Sequence, residues 1–213
     1  MLKSDSALWD LVTAIVSADT TKALGLLTAS PELAIACFQS GATRATSHPF
    51  FLDQIKRYVF AGDTALHIAA ASYQVELVRM LIERGADVHA RNRMGDQPLH
   101  AAATGIPGSR TWNPPAQADT IRCLIESGAD PNASDKRGVS PLHVAVRTRC
   151  AAAVCTLLEC GADPARKTKT GSTPMLLATK TTGRGGSGSA EAKAQQKEIL
   201  RLLNREVPPL YPR

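Results

Sequence analysis

The sequence predicts an all-α protein, a solenoid of stacked helix–turn–helix units joined by β-turns. One six-residue word that opens on glycine occurs four times, as GDTALH (62–67), GDQPLH (95–100), GVSPLH (138–143) and GSTPML (171–176). The glycines are 33, 43 and 33 residues apart, and self-similarity at such a period is typical of repeat architectures. A content of 44% hydrophobic but only 4% aromatic residues favours closely packed helices over sheets, whose strands favour aromatic and β-branched side chains.

Residues 1–61 are expected to form a helical capping unit and then an enlarged first finger, a finger being the extended turn that connects two units. The stretch ALWDLVTAIVSADTTKALGLLTASPELA predicts two short helices broken at SADTT, where Asp19 or Thr20 can cap the second. Farther on, LAIACF and RYVF are strand-like and are expected as the arms of the finger, with SGATRATSHP as its loop. FFLDQI is expected to form a helical turn.

Four units are expected to follow, each with two helices whose apolar residues recur at three- and four-residue steps. Their ranges are 62–94, 95–137, 138–170 and 171–207, followed by a tail at 208–213. The predicted helices cover about 66–73, 75–84, 99–104, 119–127, 141–148, 151–160, 174–180 and 194–204. Proline in three of the words fits the first helical turn. Gly85 and Gly161 are placed to end second helices in a left-handed conformation.

Two of the units are longer than the period. The second carries an insertion at 106–118 and the fourth carries one at 183–192, both between first and second helix. We expect the insertions to emerge from the same end of the helix pairs, roughly 20 Å apart, on either side of a notch above the third unit. The Gly/Ser-rich segment 183–189 lacks the Lys-Ser/Thr of a phosphate loop and is typical of a flexible linker. Deleting 183–192 is therefore expected to leave the melting temperature nearly unchanged.

The chain resembles the ankyrin repeat family over 62–207, through the T-P-L-H-like words, the GAD stops that follow the second helices of the first three units, and the 33-residue period. The fourth unit departs from the motif, because Leu176 stands at the histidine position. The resemblance implies that His67, His100 and His143 are hydrogen-bonding ties between turns. A metal ion shared by them is disfavoured, because successive units lie roughly 8–10 Å apart.

The resemblance further implies that a partner binds the finger tips and the exposed ends of the first helices, on the concave side. The candidate positions there are Arg91, Arg93, Met94, Asp96, Asp135, Lys136, Arg137, Val139, Arg147, Arg166, Lys167, Lys169 and Lys180. Basic residues dominate this set, and the alternative is that they form a merely solvated surface. Trp112, in the first insertion, is a further candidate anchor for a partner; the alternative is that it folds back over the adjacent helix pair.

Catalytic motifs are absent from the sequence, which has no Gly-x-Ser-x-Gly, no His-Glu-x-x-His and no acidic pair outside the repeat pattern. We therefore expect a non-enzymatic protein with no cofactor and no metal. The five cysteines form no CxxC pair and are expected as free thiols in a reducing compartment. No apolar run approaches the ~20 residues that span a bilayer, so we expect a monomeric, cytoplasmic protein that does not enter membranes.

The leading functional hypothesis is a protein-interaction module whose partner presents an acidic surface, since the formal net charge is +6 and basic residues fill the fingers. A nucleic-acid-associated protein is the alternative, although the fingers lack aromatic residues that stack on bases. A third hypothesis is an enzyme regulator or toxin antidote that plugs a target's cleft with its inserted loops. Fold alone does not decide between them.

Overall fold

The computed structural model describes residues 3–109, 111–180 and 190–204. This part of the chain is mostly helical, with short 3-10 turns at Pro31–Ala34 and His48–Phe50 and one small hairpin, β1 (Phe51–Leu52) and β2 (Arg57–Tyr58). The helices are α1 (Lys3–Val16), α2 (Thr20–Ala29), α3 (Ala65–Ala71), α4 (Val75–Glu83), α5 (Pro98–Ala102), α6 (Pro114–Glu126), α7 (Pro141–Thr148), α8 (Ala151–Glu159), α9 (Pro174–Thr179) and α10 (Ala190–Leu203).

The helices stack in two rows, which confirms the predicted all-α solenoid. The first helices of successive units pack on one another in the order α1, α3, α5, α7, α9, and the second helices α4, α6, α8 and α10 form the other row. Fully buried leucines and alanines fill the space between the rows, as with Leu66, Leu99 and Leu142. Small side chains allow these short helices to approach closely, so each unit covers the apolar face of its neighbour.

The repeated glycine serves the contact between successive fingers. Gly62, Gly95 and Gly138 have φ between 77° and 85°, a region that favours glycine. The next finger passes directly over each of them, so that a Cβ on Gly95 would lie 2.8 Å from the backbone nitrogen of Lys136. Fingers are also joined by a backbone hydrogen bond, for example from Lys136 N to Met94 O (3.1 Å). The glycine therefore recurs because the backbone of the next finger packs directly on it.

The enlarged first finger differs from the expectation. The hairpin arms are β1 and β2, paired antiparallel with Phe51 opposite Tyr58, so the predicted helical turn at FFLDQI is wrong. The prediction of LAIACF as a strand is also wrong, because this apolar run begins in a 3-10 turn and Cys37 forms only an isolated bridge with Thr64. Its hydrophobicity has another cause: Phe38 is buried against Trp9, with ring centroids 4.9 Å apart.

The first insertion is more ordered than expected. Helix α6 begins at Pro114, within the predicted insertion, because Asn113 caps it by accepting a hydrogen bond from Ala116 N (3.2 Å). The loop before it also reaches the fourth unit, since a Cβ on Gly108 would lie 3.9 Å from Cγ of Glu191. The two insertions therefore approach each other there, and the predicted separation of about 20 Å is wrong at this point.

The second insertion is described only from residue 190 onward, and the linker predicted at 183–189 lies outside the described residues. Helix α10 already begins at Ala190, and Ala192 is buried. Deleting 183–192 would remove the first residues of α10 together with the buried Ala192, so we now expect this deletion to lower the melting temperature.

Candidate functional site

The three motif histidines hold the fingers to the helices. Nδ1 of His67 accepts a hydrogen bond from Thr64 N (3.1 Å), so the proton is on Nε2, which donates to the Asp96 carbonyl (3.1 Å) of the next finger. His100 bonds in the same way to Gln97 N and Val139 O, and His143 to Ser140 N and Ser172 O. Burial lowers the pKa of all three rings. The three histidines thus form the hydrogen-bonding ties between turns that the family resemblance implied.

A second hydrogen-bonding pattern, which the sequence analysis did not predict, shapes two of the fingers from within. The Oδ1 atom of Asn92 accepts hydrogen bonds from the backbone of residues 94 and 96, and Oδ1 of Asp135 does the same for residues 137 and 139. Asp135 is 6% exposed and, like the buried Val139, is a structural residue; its assignment as a contact position is wrong. The sequence does contain a signal for this pattern, because Asn92 and Asp135 stand three residues before the turn glycines Gly95 and Gly138.

Several predicted basic contact residues are engaged within the stack. Arg91 donates to the carbonyls of Gly95 (3.0 Å) and Ser134 (2.8 Å), which ties two fingers together. Arg93 lies over the Phe60 ring at 5.3 Å. Arg137 forms an ion pair with Asp135 (2.9 Å), and Arg166 donates to the Ser134 hydroxyl (3.1 Å). These side chains therefore have structural contacts in addition to any role in binding.

Exposed lysines add positive charge on the fingers and at the end of α9. Lys136, Lys167, Lys169 and Lys180 are all exposed. Within the described residues, neither Lys136 nor Lys169 has a carboxylate within ion-pair distance. A groove of about 330 Å³ lies between the last two fingers, and we call it the basic groove; it is lined by Lys136, Arg137, Val139, Arg147, Thr168, Lys169, Thr170, Ser172 and Leu177. The basic groove thus combines an apolar floor with a rim of four cationic side chains.

Met94 and Asp96 contribute mainly through their backbone, by the bond from Lys136 N to Met94 O and the bond from His67 to Asp96 O. Trp112 folds back against its own stack, the alternative considered for it. Its Nε1 donates to Oε1 of the buried Gln117 (3.1 Å), whose amide donates to the Ala102 carbonyl (2.9 Å). Trp112 is half-buried and so anchors the inserted loop to α5.

The sequence did not predict a second groove, which lies beside the hairpin and which we call the aromatic groove. Its volume is about 660 Å³, and its walls are the hairpin on one side and the inserted loop on the other. Tyr58, Phe60, Tyr73, Ile106 and Trp112 contribute the large side chains. Sequence spacing could not reveal this groove, because both walls come from segments outside the regular repeat.

Other kinds of site find little support in the described residues. They contain no group of three or more His, Cys, Asp or Glu side chains placed to hold a metal ion. The five cysteines are free thiols, and burial raises the pKa of Cys150 to about 11, which makes its thiol a poor nucleophile at neutral pH. In the same part of the chain, no helix has the length and apolar character needed to cross a bilayer.

Comparison with known proteins gives partial matches to regulatory and ankyrin repeat proteins. Residues of this chain are 47% identical over 47 residues to protein phosphatase 1 regulatory subunit 12A of Mus musculus, covering 22% of this chain and 5% of that protein. Protein phosphatase 1 regulatory subunit 27 of Mus musculus is 36% identical over 64 residues, covering 25% and 42%. The Notch-regulated ankyrin repeat-containing protein A of Danio rerio is 46% identical over 44 residues, covering 21% and 39%. Each match therefore spans well under half of the relative's length.

The family is shown by profile matches that together cover more of the chain. The profile described as Ankyrin repeat matches residues 61–93 and 94–136, and the profile described as Ankyrin repeats (many copies) matches 124–178. The first two matches each begin one residue before a turn glycine, in the register of the fingers. Because these profiles account for more than half of the chain, it belongs to the ankyrin repeat family.

Proposed function

We propose that this protein is a non-catalytic protein-interaction module that binds an acidic surface or an extended acidic segment through its finger tips and concave face. The family membership and the relatives named as regulatory subunits support the general role. The observation that carries the choice of partner is the basic groove, where none of the described lining residues is acidic.

The basic groove suits an acidic partner for an electrostatic reason. Like charges that are held on a rigid surface raise the local potential and speed the encounter with opposite charge. The fingers are rigid because histidine ties, backbone bonds and the Arg91 contacts connect each one to the next. The backbone of Lys136 and Lys169 is therefore held in place. Among the described residues, no carboxylate lies within ion-pair distance of either ammonium group.

The same charge would also attract nucleic acid, so the experiment must separate the two kinds of partner. The basic-groove variant Lys136→Glu/Lys169→Glu reverses two exposed charges. The matched control Lys193→Glu/Lys197→Glu makes the same change in net charge on α10, at exposed positions on the row of second helices. Proteins that the wild-type protein retains from a cell lysate at low salt would be identified by mass spectrometry. The rate of association with the identified partner would then be measured for the wild type and both variants.

We expect the basic-groove variant to associate about ten-fold more slowly or worse, with a deficit that shrinks as salt screens the charges, while the control stays close to the wild type. Equal rates for the basic-groove variant and the wild type would refute the proposal. A labelled random-sequence duplex provides the other arm: sequence-independent binding with a steep log–log salt dependence, lost in the basic-groove variant, would instead identify a nucleic-acid binder.

A further inference from the structure

We propose that the partner segment is bipartite: a large apolar side chain occupies the aromatic groove, and acidic residues farther along the same extended chain lie on the basic groove. This inference rests on the proposed function and specifies the occupant of the binding face. It draws on the aromatic groove, which the regular repeat does not produce.

The aromatic groove presents apolar surface to solvent. Tyr58 and Ile106 stand on opposite walls and are 40% and 42% exposed. Phe60, Tyr73 and Trp112 also line this groove. A volume of about 660 Å³ falls in the range of sites that enclose ligand groups. Burial of a large apolar side chain there would remove these surfaces from water, which is favourable in proportion to the apolar area covered.

The two grooves differ in charge, and this difference indicates which part of the partner each groove binds. At the aromatic groove, Lys56 is paired with Asp53 (2.7 Å) and Arg57 lies 3.6 Å from the buried Asp63. These two cations are therefore already compensated, and the aromatic groove offers mainly apolar contact. Lys136 and Lys169 are not compensated in the described structure. Charge complementarity thus places the acidic part of the partner at the basic groove and the apolar part at the aromatic groove.

The fingers provide a path between the two grooves. Phe60 lines the aromatic groove and is covered by Arg93 of the next finger. Lys136 and Lys169 follow at the equivalent positions of the succeeding fingers, each joined by a backbone bond to the finger before it. Neighbouring units lie roughly 8–10 Å apart, and an extended chain rises about 3.3 Å per residue. Lys136 and Lys169 lie two and three units beyond Phe60. The apolar anchor should therefore precede or follow the acidic residues by roughly five to nine positions.

The test is a selection from a random peptide library displayed on phage, using the wild-type protein as the target. The aromatic-groove variant is Tyr58→Ser/Ile106→Ser, and its control is Leu24→Ser/Ile35→Ser, which changes exposed apolar residues elsewhere. The basic-groove variant and its α10 control are those defined above. The most enriched peptide would be synthesised with a fluorescent label, and its dissociation constant measured for every variant at low and high salt. Circular dichroism would check that each variant retains its helices.

We expect the enriched peptides to carry a large apolar residue at a fixed distance from two or more acidic residues. The aromatic-groove variant should bind the peptide about ten-fold more weakly at both salt concentrations, and the basic-groove variant should lose affinity mainly at low salt. The Leu24→Ser/Ile35→Ser control should bind like the wild type.

The inference would be overturned by no enrichment, by enriched acidic peptides without a fixed apolar position, or by equal affinity for the aromatic-groove variant and the wild type. With the last result, a loss of affinity in the basic-groove variant would leave the proposed function intact, so the two failures can be told apart. An apolar peptide whose affinity depends on the aromatic groove alone would also refute the bipartite arrangement, because it would show that the two grooves do not act on one chain.

Discussion

At the scale of single residues, His67, His100 and His143 each connect two backbone groups: an amide N–H that bonds to the ring, and a carbonyl of the next finger that also accepts a backbone hydrogen bond within that finger. The accepted bond at Nδ1 requires an unprotonated nitrogen, and the donated bond at Nε2 requires a proton there. A second proton would break the first bond and place a charge in the core. For His67, burial outweighs the nearby carboxylate of Asp63, which lies 3.9 Å away and favours protonation. The pKa of each ring is therefore below its ordinary value.

The lowered pKa values predict a loss of stability in mild acid. Unfolded histidine titrates near pH ~6.5, so below that pH the unfolded chain binds protons that the folded chain does not, and the free energy of unfolding falls. Each histidine contributes up to about 1.4 kcal/mol per pH unit until its folded-state pKa is reached. Urea unfolding between about pH 7.5 and pH 5.5, above the range in which carboxylates titrate, should show a declining midpoint.

The control for this prediction is His143→Leu, which copies the residue of the fourth unit. It should be less stable near neutral pH, because Ser140 N loses its acceptor and Ser172 O keeps only the hydrogen bond from Thr168 N. Its stability should nevertheless fall less steeply with pH than that of the wild type. An equal steepness would mean that His143 does not contribute to the pH dependence.

At the scale of elements, the inserted loop is a packed part of the stack. Trp112, Tyr73 and Cys150 meet at Gly105, where an added Cβ would lie 2.7 Å from the Cys150 sulfur and 3.1 Å from Trp112. Tyr73 donates a hydrogen bond to the Thr104 carbonyl (2.5 Å). The loop therefore closes over the side chains of three units. The period located the insertion in the sequence, but only the tertiary contacts of Trp112 decide that it folds inward.

Trp112→Ala tests whether the loop is packed. We expect a destabilisation of about 2–4 kcal/mol, somewhat below that of a fully buried tryptophan, because Oε1 of Gln117 loses the hydrogen bond from Trp112 and the cover over Gly105 is removed. A thiol reagent near neutral pH should label the exposed Cys37 rapidly in both proteins and should label Cys150 faster in the variant. The matched change Ile106→Ala, at an exposed position of the same loop, should leave both stability and Cys150 labelling nearly unchanged. Unaltered Cys150 labelling in Trp112→Ala would contradict the packed arrangement.

At the scale of the whole molecule, the sequence predicted the helices well where the 33-residue period holds. Helices α3, α4, α5, α7, α8 and α9 begin and end within two residues of their predicted bounds, because each repeats the same turn and apolar stripe. The strand predicted at RYVF corresponds to β2. The first hairpin arm β1, the early start of α6 at Pro114 and the aromatic groove were not predicted, since they lie where the period is interrupted. That the basic residues bind a partner as a group stays a prediction. Their individual partners, such as Asp135 for Arg137, depend on how the fingers fold.

The stack also predicts an uneven distribution of stability. In the described residues, no atom lies within 4 Å of the position that a Cβ would take on Gly171, whereas the next finger covers the three preceding turn glycines. Leu176, at the histidine position, is 46% exposed, while His67, His100 and His143 are buried. The stability of a repeat is approximately the sum of its own stability and its interface energies. The fourth unit, with fewer such contacts, should therefore open more readily than the units before it.

Native-state hydrogen exchange measures this difference directly. Amides of α9 should exchange through openings of lower free energy than amides of α7, whose opening should approach global unfolding. The pair Leu142→Ala and Leu176→Ala applies the same chemical change to first helices of adjacent units. Leu142 is fully buried, so its removal should cost about 2–5 kcal/mol, whereas the change at the exposed Leu176 should cost less than about 1 kcal/mol. Equal exchange in α7 and α9, together with equal costs for the two substitutions, would show that the contacts missing at Gly171 and Leu176 are replaced by others.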